Sequence, residues 1–220
     1  MMSKMPIPTA PASEPRQTVR EKIYNTMLEW IVNGTLQPGE KILDTEIAQY
    51  FSASRTPVRE AIQLLADQRL IEITPGRASR VAPIDLELAR SNYLLMGKLN
   101  ALAAELAGSR LDKAFLSGLR LRLAEMNSAV EQGDYKGIIT ADYAFHYAFF
   151  EEAGNPFLKD FFCNLYAHCL RIETLYFSRG NDFSESVRQH TMILDALSAG
   201  DLPAAQVVLT ENWTHTIPGL

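Results

Sequence analysis

Residues 54–65, Ser-Arg-Thr-Pro-Val-Arg-Glu-Ala-Ile-Gln-Leu-Leu, leave the chain few ways to fold locally. Ser54 and Thr56 are helix-capping types, and Pro57 suits a first helical turn, where its missing N–H costs nothing. Val58, Ile62 and Leu65 then recur at helical spacing and supply one apolar face. Arg55 and Arg59 stand at i and i+4, so both project from the same side. The segment predicts an amphipathic helix whose N-terminal turn offers two guanidinium groups and two hydroxyls. That set matches the phosphates and base edges of DNA; a capped surface helix with incidental arginines is the plain alternative.

The flanks decide between the two. Upstream, Val19, Ile23, Met27 and Ile31 repeat every four residues and predict a helix, which Asn33-Gly34 ends. Pro38-Gly39 predicts a tight turn. Asp44 to Phe51 reads as a short second helix, and Ser52-Ala53 turns into the arginine-bearing third. Leu70 to Ile73 alternates like a strand, Thr74-Pro75-Gly76-Arg77 is a turn, and Ala78 to Val81 is a second short strand. Helix, helix-turn-helix and hairpin together make a winged helix-turn-helix.

Three blocks carry a specific resemblance: Leu36-Gln37-Pro38-Gly39-Glu40, Glu46-Ile47-Ala48, and Ser54-Arg55-Thr56-Pro57-Val58-Arg59-Glu60-Ala61. With their order and spacing, residues 16–82 resemble the DNA-binding half of GntR-family transcriptional regulators. The resemblance implies that Ser54, Arg55, Thr56, Pro57 and Arg59 lie against DNA. Arg55 or Arg59 is then the bidentate partner of guanine, a contact contributing about 1–3 kcal/mol of discrimination. Gly76 and Arg77 match the wing tip that reaches the minor groove, where a solvated hairpin charge is the other reading of Arg77. Two departures stand out. The glycine usual before the recognition helix is replaced within Phe51-Ser52-Ala53, and the one before the wing is Arg69. Both read as local backbone adjustments.

Charge supports the division only weakly. Residues 16–82 carry nine basic and eight acidic side chains, whereas residues 83–220 carry 11 and 17. A module so weakly basic needs two copies for useful affinity, which predicts a homodimer reading two half-sites of double-stranded operator DNA. No run reaches the roughly 18 apolar residues of a membrane helix, so no membrane partner is expected. Residues 1–15, rich in Pro, Ala and Ser without an apolar run, read as a disordered tail. Cys163 and Cys169, six apart on one predicted helix, face different sides and fit a reduced, cytoplasmic protein.

Beyond Pro83 the pattern is wholly helical, and the fold class is mainly α. Six helices are predicted, Asp85–Gly108, Asp112–Gln132, Tyr135–Ala153, Pro156–Ser178, Ser184–Ala199 and Leu202–Thr216, forming an antiparallel bundle over 83–220. Asp142 and His146 stand at i and i+4 on the third. His190 lies ten residues before Gly200 and Asn212 ten after Leu202, so two antiparallel helices joined there would hold them at similar height. A carboxylate, two imidazoles and a further polar group converging inside a bundle is a metal-site pattern. Spacing alone also fits a surface hydrogen bond and a packed histidine.

A second resemblance bears on this. Asp142-Tyr143-Ala144-Phe145-His146, Gly154-Asn155-Pro156, and His190-Thr191-Met192-Ile193-Leu194-Asp195-Ala196-Leu197 with Gly200-Asp201 resemble the FCD effector domain of the FadR subfamily; six helices favour its VanR-like group. Metal-binding members hold a divalent ion with an Asp and three His. Asp142, His146 and His190 match the first three, and the fourth position falls on Asn212, a harder and weaker ligand. The resemblance implies Zn, Ni or Mn. The arginine that clamps an effector carboxylate in many FCD domains is here Met96. Arg171 is a substitute candidate, and Tyr143 and Tyr147 are candidates to line the pocket. Together these imply a repressor whose operator affinity is set by a small metabolite, an organic acid on the metal, and no catalysis. A metal-dependent hydrolase with an accessory DNA-binding module and a metal-free regulator are the alternatives.

Overall fold

The computed structural model describes residues 17–177 and 183–215. The expected tail over 1–15 lies outside them, as do Ser178 and Thr216, where two predicted helices were to end. The first part runs α1 (Val19–Val32), β1 (Lys41–Ile42), α2 (Asp44–Tyr50), α3 (Arg55–Asp67), β2 (Ile71–Glu72) and β3 (Ser79–Val81). Thr18 caps α1 reciprocally with Glu21: its hydroxyl accepts from the Glu21 N–H, and the Glu21 carboxylate accepts from the Thr18 N–H. Ile23, Met27 and Ile31 of α1 are fully buried, whereas Val19, expected in the same stripe, is 54% exposed. A repeat of four drifts about 40° per step against a 3.6-residue turn, and over three steps the first residue leaves the buried arc.

Val58, Ala61, Ile62 and Leu65 of α3 are buried against that face, the arrangement their spacing predicts. Each large side chain so buried contributes about 1.5–3 kcal/mol. The expected hairpin is a three-stranded antiparallel sheet of order β1-β3-β2, with Lys41 opposite Arg80 and Ile71 opposite Val81. The added strand has two residues, too few to show an alternation in sequence.

Both departures from glycine fall at equivalent places. Ser52 and Arg69 have φ of 50° and 61°, the described non-glycine residues in the left-handed region. Each follows a helix as the pivot of a Schellman turn. The Ala53 N–H reaches the Ala48 carbonyl and the Ser52 N–H reaches Gln49; the Leu70 N–H reaches Leu65 and the Arg69 N–H reaches Ala66.

The second part is helical: α4 (Leu86–Ala107), a 3₁₀ turn (Gly108–Arg110), α5 (Lys113–Gln132), α6 (Tyr135–Ala153), α7 (Pro156–Ile172), a π turn (Glu173–Phe177), α8 (Ser184–Ser198) and α9 (Leu202–Thr214). Asp85, Asp112, Asp134, Asn155 and Asp201 cap five of these helices by accepting from first-turn N–H groups. α4 packs against α6, α7 and α9. Tyr93, Met96, Phe145, Phe149, Phe150, Phe162 and Trp213 fill the core between them. The predicted fourth bundle helix is thus shorter than expected: its α-helical part stops at Ile172 and a π turn follows.

Left-handed geometry costs a non-glycine residue about 1–2 kcal/mol, and glycine returns about 0.5–1 kcal/mol of that as unfolded-chain entropy. Ser52→Gly and Arg69→Gly are each expected to raise unfolding free energy by about 0.5–1 kcal/mol. Urea titration checks this, and a loss of stability in both variants would contradict the strain assignment.

Candidate functional site

Two sites emerge, one at each end of the molecule's chemistry. The first is the exposed N-terminal end of α3. Ser54 is its N-cap by backbone geometry, but its hydroxyl makes no capping bond, so the first-turn N–H groups stay open to an anion. Ser54, Arg55, Thr56 and Arg59 are exposed, Pro57 is half-buried and Val58 faces the core. Gly76, at φ 74°, turns the wing with no neighbouring atom within 4 Å of where a Cβ would stand. Arg77 beside it is exposed. Arg55, Arg59 and Arg77 line one concavity of about 420 Å³ between α3 and the wing, with Gln63 and Ser79. Arg80 is not part of this face: it donates to the Gly39 carbonyl at 2.7 Å and braces the Pro38-Gly39 turn. Sequence reasoning missed Asp44, at the start of α2, whose carboxylate holds both Arg55 and Arg59.

The second site lies in the helical part. Asp142 and His146 of α6 and His190 of α8 converge so that one ligand atom from each lies within 4.8 Å of the others. Asp142 Oδ1 stands 3.7 Å from His146 Nε2 and 3.3 Å from His190 Nε2. Both imidazoles are fully buried, and among the described residues neither Nε2 has a hydrogen-bond partner. Their other nitrogens are engaged. His146 Nδ1 is 3.0 Å from Asn100 Oδ1, and His190 Nδ1 is 2.7 Å from the Ser186 carbonyl. An Nδ1–H donated to each oxygen leaves the Nε2 lone pair aimed into the cage, the second-sphere arrangement of metal-ligating histidine. Burial pushes His146 down to about 4, against the pull of Asp142, so its ring is neutral at pH 7. Burial works to raise the Asp142 carboxyl, but the imidazoles of His146 and His190, with His215 beyond them, hold it below its ordinary value. This donor set fits a divalent ion.

Asn212 of α9 is buried, and its side-chain N–H donates to Gln189 at 3.0 Å, which brings α9 level with His190 on α8 as the helix register predicts. Its side chain also acts on the His146 imidazole, drawing it upward against burial, so Asn212 borders the cage. Asn100 and Gln189, both buried, are the orienting residues that sequence reasoning did not assign. Only their place between helices reveals them.

The effector candidates separate. Met96 is fully buried in the core. Tyr143 and Tyr147 stack on each other, centroids 5.1 Å apart, and Tyr143 continues onto Phe162 and Tyr166 at the α6–α7 seam. Tyr147 also carries Lys159 over its ring. Tyr166 and Tyr93 reach toward the cage through Trp213: their rings lie 6.1 Å and 6.4 Å from it, and it is itself 4.9 Å from His146. Trp213 Nε1 is buried without a partner among the described residues. Tyr93 donates to Glu173 in the π turn at 3.3 Å. Burial, then the charge of Asp142, lifts the Glu173 carboxyl to about 8.

Arg171 is elsewhere. It donates to the Ala82 carbonyl and lines a small cavity of about 50 Å³ with Arg69, Pro83, Asp85 and His168. It thus joins α7 to the segment leaving the wing. Beside it, His168 Nε2 donates to the Gln68 carbonyl at 2.8 Å, and Tyr24 donates to the Gln68 side chain at 2.8 Å.

Comparison with known proteins agrees with this architecture. Residues 19–81 match bacterial regulatory proteins of the gntR family, and residues 93–214 match the FCD domain. The HTH-type transcriptional repressor RspR of Escherichia coli K12 is 28% identical, over 90% of this chain and 87% of that one. The HTH-type transcriptional regulator LutR of Bacillus subtilis 168 is 27% identical, over 84% and 93%. Of solved structures, E. coli McbR/YncC superposes with a TM-score of 0.77 at 22% identity, covering 91% of this chain and 96% of that one. A GntR regulator from Rhodococcus sp. RHA1 gives 0.74 at 22% identity, covering 91% and 97%. These last two speak to the fold. No helix among the described residues is long and apolar enough to cross a membrane.

The cage predicts near-stoichiometric uptake of one divalent ion per chain by the purified protein. His146→Ala and His190→Ala are expected to abolish it, and Asn100→Ala to weaken it about 10–100-fold through the unfixed imidazole. Elemental analysis after dialysis against Zn, Ni or Mn checks this. A wild type that takes up none of them would reduce the cluster to a packing feature.

Proposed function

Because this chain belongs to the gntR family of bacterial regulatory proteins, with an FCD domain, and is a transcriptional regulator rather than an enzyme, we propose the following division of labour. Residues 16–82 read double-stranded operator DNA, and residues 83–220 bind an effector and dimerise. Arg55 and Arg59 read base edges in the major groove. Ser54, Thr56 and the open N–H groups of the α3 first turn hold phosphates, and Gly76 with Arg77 reaches the minor groove. The observation that carries this reading is the exposure of Arg55, Arg59 and Arg77 together on one concave face while the opposite side of α3 is core.

Asp142, His146, His190 and the Asn212 carbonyl would hold a divalent ion. When bound, it supplies a Lewis-acidic anchor for a small organic acid. The chain's own residues then set selectivity. Trp213 offers an unspent N–H beside the cage, and buried Met96 leaves no guanidinium on that part of α4. The two orphaned imidazole nitrogens favour this reading over a metal-free regulator, since a buried nitrogen without a partner costs free energy unless something completes it. The hydrolase reading falls with the family assignment.

The likeness to proteins named as repressors supports repression by occupancy of the operator. Two copies are needed to span two half-sites. A seam for them is offered by α4, whose Leu88, Leu95, Leu102 and Leu106 are 46%, 51%, 40% and 44% exposed. With half-buried Leu99 they are spaced seven, four, three and four residues apart, the heptad spacing of a self-pairing helix. Effector binding that favours one disposition of the two winged halves changes operator affinity; coupling of about 1–3 kcal/mol corresponds to 5- to 150-fold.

Selection from a random duplex library tests the proposal. The wild type is expected to enrich an inverted repeat containing guanine, and Arg59→Ala to lose enrichment at the guanine positions while keeping weak general binding. Full retention of the motif by Arg59→Ala would contradict the base-reading role.

A further inference from the structure

Arg55 and Arg59 are not free in the DNA-free chain. Arg55 grips the Asp44 carboxylate from the side, Nε to Oδ2 at 3.2 Å and Nη2 to Oδ1 and Oδ2 at 3.0 Å and 2.8 Å. Arg59 donates through Nε to the same Oδ2 at 2.8 Å. One carboxylate thus bridges two like charges that stand a single helical turn apart. The atoms it uses matter. Arg55 is held by its Nε/Nη2 side, with Nη1 making no bond to Asp44, whereas Arg59 is held through Nε alone, which leaves its Nη1/Nη2 edge, the one that matches guanine O6 and N7, unbound to Asp44. The arginine side chains are 54% and 65% exposed and the Asp44 side chain 22%. The Arg55 bond first and the Arg59 bond second keep the carboxyl below its ordinary range. Asp44 also sits in the wall of the concavity that holds Arg55, Arg59 and Arg77.

We propose that Asp44 is a specificity-determining positioning residue: it fixes the stems of Arg55 and Arg59 and leaves the Nη edge of Arg59 to be presented to bases, and its negative charge weakens indiscriminate phosphate binding. Three physical effects combine. A long arginine tethered before docking loses less rotamer freedom on meeting a base. A carboxylate in the interface lies within a Debye length, about 8 Å at physiological salt, of the phosphates and repels them. An arginine held through Nε cannot fold back to a phosphate with that edge, so its binding is spent on bases. Asp44 touches no DNA in this account. It acts through the two arginines.

The inference rests on α3 being the DNA-reading helix, and the test separates the two. Wild type, Asp44→Asn and Asp44→Ala are compared by fluorescence anisotropy on the duplex that the wild type selects from a random library and on a scrambled duplex, at two salt concentrations. Both variants are expected to bind the scrambled duplex several-fold more tightly and the selected duplex no better than wild type. Their ratio of specific to non-specific affinity should fall about tenfold, the loss of one well-placed base contact. Equal weakening on both duplexes would mean that Asp44 only supports α2, and equal strengthening that it is only a charge brake; either overturns the proposal. A wild type that selects no sequence would overturn the reading of α3 itself.

Discussion

One helix belongs to both hydrophobic cores. On one side of α7, Phe162, Tyr166 and Cys169 pack into the bundle core, while Ala167 is counted among the residues of the winged core. His168 and Arg171 extend that second face, bonding to the Gln68 carbonyl at the end of α3 and to the Ala82 carbonyl at the end of the wing. The elements that carry the DNA-reading arginines are therefore tied to a helix whose other face looks toward the ligand cage. α7 passes directly into the π turn, where Glu173 meets Tyr93 and Leu175 packs near Gly34 just past α1. A π segment is rare and is often found at functional sites. Here it stands between the cage and the first helix of the winged part.

The cage and the reading helix obey a common rule: a residue without a direct role fixes the one that has it. Asn100 and the Ser186 carbonyl fix the imidazole tautomers so that Nε2 faces inward. Asp44 fixes two guanidinium groups, Arg55 through Nε and Nη2 and Arg59 through Nε alone, which leaves the Arg59 Nη edge unbound to it. The Asn100 and Asp44 contacts are made across elements, whereas the Ser186 contact runs along α8 itself. Precision of a few tenths of an ångström in a ligand or base contact depends on such partners more than on the contacting side chain itself.

How much of this was legible in the sequence follows from the range of the interactions. The helices declared themselves through apolar periodicity and capping residues such as Asp112 and Asn155, which are local signals. Asp142, His146 and His190 were legible because two share a helix face and the third sits on a helix whose register a turn at Gly200 fixes. Ser52 and Arg69 were visible as missing glycines before their left-handed geometry was seen. Strand β1 was not, since two residues carry no period. Asn100, Gln189, Asp44 and the role of Arg171 were also hidden. Each acts on a residue that the chain brings near only on folding, 11 positions away at the least. Tyr143 and Tyr147 share a helix face by their spacing, and in the structure they stack on each other.

The account stands or falls on whether the cage and the winged half are one mechanical unit. Hydrogen-exchange mass spectrometry of the full chain, with and without saturating Zn, addresses this directly. The account predicts slower exchange not only in α6, α8 and α9 around the ligands but also along α7 and at the Gln68–Leu70 turn. Protection confined to the three ligand-bearing helices would contradict it.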